Sequence, residues 1–134
     1  MVLRQSSATF TWIDHAFLAE RKIGLPMAMP PAMRGLAKVH GPLGLVHFDA
    51  HSDTRDAYEG FKYSHASIMR NVMELPVGPK KLVQVGIRDF CKEEYDFIEQ
   101  NPNRISCFFD DEIKKKLFSG TQWNSLCETI VNEL

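Results

Sequence analysis

The segment from Gly44 to Asp56, GLVHFDAHSDTRD, constrains the fold of this chain more than any other stretch. It begins with a short apolar run that ends at Phe48 and is bounded by a glycine and a polar cluster, which is typical of a buried β-strand. Three potential metal ligands follow at every second position, namely Asp49, His51 and Asp53. Because alternate side chains of an extended chain share one face, all three can point into one space. Two carboxylates and an imidazole gathered in this way predict a bound cation.

Apolar strand patterns alternate with helical patterns along the rest of the chain. Two further strand candidates run from Leu82 to Ile87 and from Arg104 to Phe109. Helical patterns cover residues 31–39, 66–75, 92–100 and 123–134. Because parallel neighbouring strands need a crossover between them, this alternation predicts an α/β fold with a mainly parallel sheet and helices on its faces. The potential ligands would then lie at the carboxyl ends of the strands, where such sheets bind ligands.

The first 30 residues have a less regular pattern. Residues 6–13 carry the β-branched and aromatic side chains of a strand, and residues 16–23 could form a short helix. A glycine and three prolines then predict a loop: Gly24, Pro26, Pro30 and Pro31. We expect Pro31 to lie in the first turn of the next helix, which Gly41 and Pro42 should end. The chain of 134 residues, 44% of them hydrophobic, is long enough for one core. We therefore divide it into a poorly defined N-terminal segment, 1–30, and one α/β domain, 31–134.

Charge and cysteine content narrow the possible partners and compartment. The chain has 16 basic and 17 acidic residues and a net charge of -1, which favours neither nucleic acid nor an anionic membrane as a partner. The three cysteines, Cys91, Cys107 and Cys127, lack the spacing of a zinc ribbon or a disulfide framework. No apolar run approaches the roughly 18 residues of a membrane span, and the N-terminus lacks the apolar core of a signal peptide. We expect a cytoplasmic protein, and the composition leaves the kind of partner open.

Oxygen and nitrogen ligands without thiolates suit manganese, iron(II), zinc or magnesium. A carboxylate can bridge two ions, and two ions that share a water lower its pKa and activate it toward an electrophilic carbon, which favours a hydrolase. The alternative is a polar turn in which Asp49 caps a helix and His51 is solvated, and spacing alone does not decide between them. His47, inside the strand, is predicted to be a packed core histidine rather than a ligand. Cys107 is predicted to be a small buried side chain rather than a nucleophile.

The segment GLVHFDAHSDTRD, followed by YSHAS at 63–67 and VQVGIRD at 83–89, resembles the ureohydrolase family of arginases, agmatinases and formimidoylglutamases. The resemblance implies a three-layer α/β/α arginase-like fold. It also implies a binuclear manganese centre with Asp49, His51 and Asp53 as ligands, the two aspartates bridging, and His65 as a catalytic proton shuttle near the substrate. The implied partner is a small molecule, and the implied reaction is hydrolysis of its guanidino or amidine C–N bond.

Within that family, the motifs are most similar to those of agmatinases. Arg55 stands where arginases typically carry an asparagine, so arginase activity is disfavoured and the implied reaction is agmatine to putrescine and urea. Ala66 departs from the glycine that agmatinases usually have after the shuttle histidine. Arginase and formimidoylglutamase activity remain alternatives. The resemblance also implies a homo-oligomer, either a trimer or a hexamer.

Two other motifs of the family are not visible in the chain. No aspartate or histidine of a G-G-D-H motif stands between Ile23 and Met29, and no S-x-D-x-D motif follows the last helix. Because these motifs carry the other half of the family's metal ligands, we expect an incomplete domain with weak metal binding. The alternative to an enzyme is therefore a non-catalytic fragment or pseudoenzyme that acts as an interaction module.

Overall fold

The computed structural model describes residues 2–4, 10–12 and 25–134. The strands are β1 (Val2–Arg4), β2 (Phe10–Trp12), β3 (Gly44–Phe48), β4 (Lys81–Ile87) and β5 (Ile105–Phe109). The helices are α1 (Leu25–His40), α2 (Ile68–Met73), α3 (Lys92–Glu99), α4 (Asp110–Phe118) and α5 (Trp123–Asn132). A 3-10 turn, His65–Ser67, leads directly into α2.

The five strands form one sheet in the order β2-β1-β3-β4-β5. Strands β3, β4 and β5 run parallel, and the helices that connect them supply the crossovers that parallel pairing requires. This confirms the predicted parallel sheet and its three predicted strands. Strand β1 pairs antiparallel with both β2 and β3, a feature that the strand and helix pattern did not predict.

The parallel strands are covered by helices on both faces, as the three-layer prediction requires. On one face, Leu45 and Leu82 belong to a core that also contains residues of α1, α2 and α3, among them Met33, Val72 and Ile98. On the other face, Val46, Val83 and Val85 pack with residues of α4 and α5, namely Ile113, Leu126 and Ile130. Neighbouring residues of β3 and β4 therefore enter different cores, because successive side chains of a strand point to opposite faces.

Helix α1 differs from its prediction at its start. It begins at Leu25, so the predicted loop is wrong over residues 25–30, while Pro31 is helical as predicted; all three prolines lie within the helix. Proline fixes φ near the helical value. Pro26 lies in the first turn of the helix, where backbone N–H groups have no carbonyl acceptor within the helix, so the N–H that proline lacks costs no helical hydrogen bond. The end of the helix is as predicted: Gly41, at φ 77°, donates its N–H to the Ala37 carbonyl at 2.9 Å.

Two predictions for the N-terminal segment fall largely outside the described residues. The predicted strand over 6–13 is described only at Phe10–Trp12, where it is confirmed as β2. The predicted helix over 16–23 lies wholly outside the described residues, and the domain boundary after residue 30 stays a prediction. No helix within the described ranges is both long and apolar enough to cross a membrane.

Candidate metal centre

The chain leaves β3 at Phe48 and continues along the end of β4. The Asp49 N–H donates to the Val85 carbonyl at 3.2 Å, and the Ala50 carbonyl accepts from the N–H groups of Arg88 at 2.8 Å and Asp89 at 2.9 Å. These backbone bonds attach the segment after β3 to the end of β4, and the chain bends at Ala50 between them. The sequence-predicted ligands therefore lie beyond the carboxyl ends of two parallel strands, β3 and β4.

Asp49 is held by two histidines. Its Oδ1 accepts the His51 backbone N–H at 2.9 Å and lies 3.1 Å from His51 Nδ1. Its Oδ2 lies 3.6 Å from Nε2 of His47. The pKa of the Asp49 carboxyl is lowered from its ordinary value, chiefly by the His47 side chain and then by the His51 backbone N–H, which outweigh its partial burial. Asp49 is therefore ionised across the physiological pH range.

Asp53 lies in the loop that connects the strand end to α2. Its backbone has φ 55°, in the left-handed region that non-glycine residues seldom adopt. Its carbonyl accepts the N–H groups of Met69 at 2.9 Å and Arg70 at 3.3 Å, in the first turn of α2. These bonds stabilise the strained backbone, because they satisfy N–H groups at a helix start that otherwise lack partners. Burial raises the pKa of the Asp53 carboxyl to about 6, and the charge of Asp49 acts in the same direction against the opposing effect of His47.

The structure brings Asp49 and Asp53 together with a residue that was not predicted to take part. Ligand atoms of His47, Asp49 and Asp53 lie within 4.8 Å of one another. His47 is 1% exposed, as expected of a packed core histidine, yet its ring faces the carboxylates. His51 contacts Asp49, but its side chain is 61% exposed and its Nε2 faces Asp89 at 3.6 Å. In the described part of the chain, the close cluster thus contains His47, while His51 stands at its outer side.

His65 opens the 3-10 turn that precedes α2 and is exposed. Its ring packs edge-to-face against Tyr58, with 5.3 Å between ring centroids. Both rings line a cleft of about 470 Å³ together with His51 and Asp53. The predicted shuttle residue and two of the predicted ligands therefore share one cleft, although a shuttle role for His65 stays a prediction. A larger cleft of about 720 Å³, beside Arg104, lies at the opposite ends of the strands and away from the carboxylates.

A buried glutamate on α3 supports the loop between the predicted ligands and His65. Glu94 is 3% exposed and accepts the backbone N–H groups of Thr54 at 3.1 Å and Cys91 at 2.9 Å. Its carboxylate also accepts from Nε of Arg55 at 3.4 Å, and the Arg55 guanidinium lies over the Tyr58 ring at 5.3 Å from the centroid. A buried carboxylate is stable when it is hydrogen-bonded and paired with a cation, as this one is. Glu94 therefore connects the loop to the start of α3.

Sequence reasoning missed three residues at the site. Asp89 is the second residue after β4, so the rule that ligands gather at carboxyl ends of strands could have found it. Glu94 stands at the third position of a helix, where a glutamate commonly accepts the N–H of the residue before the helix. His47 offered no such signal. The local sequence around a histidine in an apolar strand is the same whether its ring only packs in the core or faces a binding site.

Comparison with known proteins relates this arrangement to one family. A sequence model described as Arginase, or Arginase family, matches residues 27–126 of the chain. The agmatinase of Bacillus subtilis (strain 168) is 38% identical over 78 residues, which cover 58% of this chain and 27% of that protein. The arginase of Glycine max is 44% identical over 71 residues, which cover 52% of this chain and 20% of that protein.

A solved structure is similar as well. The proclavaminate amidino hydrolase from Streptomyces clavuligerus superposes with a TM-score of 0.58 at 27% sequence identity, over 78% of this chain and 32% of that one. The chain thus spans between 20% and 32% of the length of these three proteins.

Proposed function

Because this chain belongs to the arginase family, whose members are amidinohydrolases, we propose that it serves the manganese-dependent hydrolysis of a guanidino or amidine C–N bond. The observation that carries the proposal is the convergence of the Asp49 and Asp53 carboxylates at the carboxyl ends of β3 and β4, beside the cleft that His65 lines. Carboxylates this close repel each other unless a cation compensates them, and burial of Asp53 increases that cost.

The donor set fits manganese. Asp49 and Asp53 offer carboxylate oxygens, and His51 offers an imidazole nitrogen on the solvent side of Asp49. Such oxygen and nitrogen donors, without thiolates, suit manganese and similar divalent ions. We propose that these three side chains hold the metal, with the two aspartates as bridges. When bound, a pair of divalent ions lowers the pKa of a shared water and polarises the substrate.

His65 has the position of a proton-transfer group in this scheme. Its ring is exposed to the cleft and packs on Tyr58, so its orientation is restrained while its nitrogens stay accessible. An imidazole in this position can accept a proton and deliver it to the departing amine. The overall reaction adds one water across the C–N bond and releases the amine and, from a guanidino substrate, urea.

For the substrate, we propose agmatine, which would yield putrescine and urea. Support comes from Arg55, which stands where arginases typically carry an asparagine, and from the agmatinase match, which covers 58% of this chain against 52% for the arginase match. Arginine and formimidoylglutamate are the alternative substrates.

We further propose a cytoplasmic location and a homo-oligomer, a trimer or hexamer, whose size light scattering can measure.

The test is product release, with added manganese, by this chain and by a chain extended at both ends to the length of these relatives. Agmatine, arginine and formimidoylglutamate are supplied separately, and the amine product is measured in each reaction. We expect the extended chain to release putrescine from agmatine, and we expect its Asp49→Asn and Asp53→Asn variants to fall to background. Activity that both variants retain would contradict the proposal. Bound manganese without hydrolysis of any of the three substrates would favour the non-catalytic interaction module.

A further inference from the structure

A buried polar network lies directly behind the predicted metal ligands. His47 on β3 and Gln84 on β4 are partners in the parallel register, and they are 1% and 0% exposed. The Gln84 Nε2 group donates to the Ser52 carbonyl at 2.6 Å and lies 3.2 Å from His47 Nδ1. The Gln84 Oε1 atom accepts from the Ser52 hydroxyl at 3.4 Å. Gln84 therefore contacts both the His47 ring and the loop that carries Asp53.

The orientation of the Gln84 amide follows from these contacts. A backbone carbonyl can only accept a hydrogen bond, so the group 2.6 Å from the Ser52 oxygen must be the amide nitrogen. The second N–H of that nitrogen is directed at His47 Nδ1. Nδ1 must then act as an acceptor, because a proton on it would face the Gln84 N–H. The proton of the His47 imidazole consequently resides on Nε2.

His47 Nε2 faces the metal cluster. It lies 3.6 Å from Asp49 Oδ2 and is the buried side-chain polar atom that lacks a hydrogen-bond partner among the described residues. A buried N–H without a partner costs free energy, and Asp49 Oδ2 is the acceptor that it faces. A small movement of either side chain would complete this bond.

We infer that His47 is a positioning residue that donates its Nε2–H to Asp49, with Gln84 selecting the required tautomer. The Asp49 carboxylate is then held from two sides, by His47 at Oδ2 and by the His51 backbone N–H at Oδ1. His47 is not a metal ligand in this arrangement, although its ring belongs to the close cluster, because a protonated nitrogen has no lone pair for a metal. The tautomer is independent of the proposed function, whereas the effect on metal binding rests on it.

The tautomer is tested first, in the metal-free protein. Long-range proton–nitrogen correlation spectra of 15N-histidine-labelled protein distinguish the two neutral forms, and a His47→Gln sample identifies the signal. We expect a proton on Nε2 and none on Nδ1, and the same pattern after addition of Zn²⁺ as a diamagnetic probe. A proton on Nδ1, or loss of the Nε2 proton when Zn²⁺ binds, would overturn the inference.

Two variants of His47 then separate positioning from packing. Glutamine places an amide N–H near the Nε2 position, while asparagine reaches only the Nδ1 position and retains the acceptor for Gln84. We expect His47→Asn to weaken Mn²⁺ binding by about 10- to 100-fold, the usual effect of removing such a supporting group, and His47→Gln to restore most of the affinity. Gln84→Met should weaken binding as His47→Asn does.

Val83→Ala is the matched control, since Val83 is buried on the opposite face of β4. It should lower the melting temperature and leave the Mn²⁺ affinity unchanged. Equal losses of affinity in His47→Asn and His47→Gln, or no loss in either, would overturn the positioning role. A wild-type protein with the Nε2–H tautomer that binds no Mn²⁺ would instead contradict the proposed function and support the tautomer assignment.

Discussion

The buried carboxylate of Glu94 accepts the backbone N–H of Thr54 at 3.1 Å, across 40 positions of sequence. Thr54 directly follows the last predicted metal ligand, and Glu94 lies in the first turn of α3. The loop that carries Asp53 is therefore attached to the helix after β4 as well as to the start of α2.

Glu94→Gln should destabilise the protein and disturb the site. The amide nitrogen of glutamine would face the N–H groups of Thr54 or Cys91, and one buried donor would lose its acceptor. We expect the free energy of unfolding to fall by about 1–3 kcal/mol, measured by urea denaturation, with weaker Mn²⁺ binding. Glu93→Gln is the matched control, because Glu93 accepts the Asp56 N–H at an exposed position. Equal losses in the two variants would argue against the role of Glu94.

Asp49→Asn and Asp53→Asn should abolish manganese binding, whereas Asp89→Asn should not. Asp89 also stands at the carboxyl end of a strand and faces His51, but its side chain is 72% exposed and lies outside the close cluster. Isothermal titration with Mn²⁺, which also detects weak binding, measures the affinity of each variant. Manganese retained by both of the first two variants would exclude these aspartates as ligands.

Manganese affinity should decrease as the pH falls through 6. Burial raises the pKa of Asp53 to about 6, so below that pH the carboxyl is mostly protonated and a metal must displace the proton. From this group alone, the apparent affinity should fall about tenfold for each pH unit below the pKa, and it should level off above it. Isothermal titration with Mn²⁺ between pH 5 and 7.5 measures the slope. An affinity that does not change over this range would contradict the prediction.

His65→Asn should slow turnover while the metal stays bound. His65 lines the cleft but lies outside the close carboxylate cluster, so its loss removes a proton-transfer group without removing a ligand. General acid and base groups typically contribute about 100- to 10,000-fold to a rate, and we expect kcat to fall within that range. Metal content and the urea unfolding curve serve as controls. Loss of manganese from this variant would contradict the shuttle role.

Cys107 should resist alkylation in the folded protein. It packs against the core on one face of the sheet, and burial raises the pKa of its thiol to about 12, so almost no reactive thiolate is present at pH 8. We expect iodoacetamide to modify Cys107 at a small fraction of the rate that it shows in urea, as followed by peptide mass spectrometry. Similar rates in both conditions would show that this strand is not stably packed.

Local patterns predicted most of the fold. The sequence correctly predicted strands β3, β4 and β5 from their apolar runs, because strands buried on both faces of a parallel sheet consist mainly of apolar residues. It also correctly predicted the last helix from the spacing of Leu126 and Ile130. The start of α1 was missed because three prolines favour a loop by local rules, although each is compatible with helical φ. The antiparallel β1 was missed because three residues carry too little periodicity to indicate a pairing partner.

The sequence by itself determined the chemistry available at the site and where it begins. The carboxylates of Asp49 and Asp53 follow an apolar strand, which places them at the carboxyl end of any parallel sheet that buries that strand. Their convergence also needs the left-handed backbone of Asp53, which the N–H groups of Met69 and Arg70 stabilise. Tertiary structure alone decided how those carboxylates are held. Gln84 reaches His47 across 37 positions, and Glu94 reaches Thr54 across 40, through the register of β3 with β4 and the packing of α3. Such long-range hydrogen bonds have no local signature, because each partner would be an ordinary polar residue in another register. The fold therefore decides whether His47 only packs in the core or also directs an N–H toward Asp49.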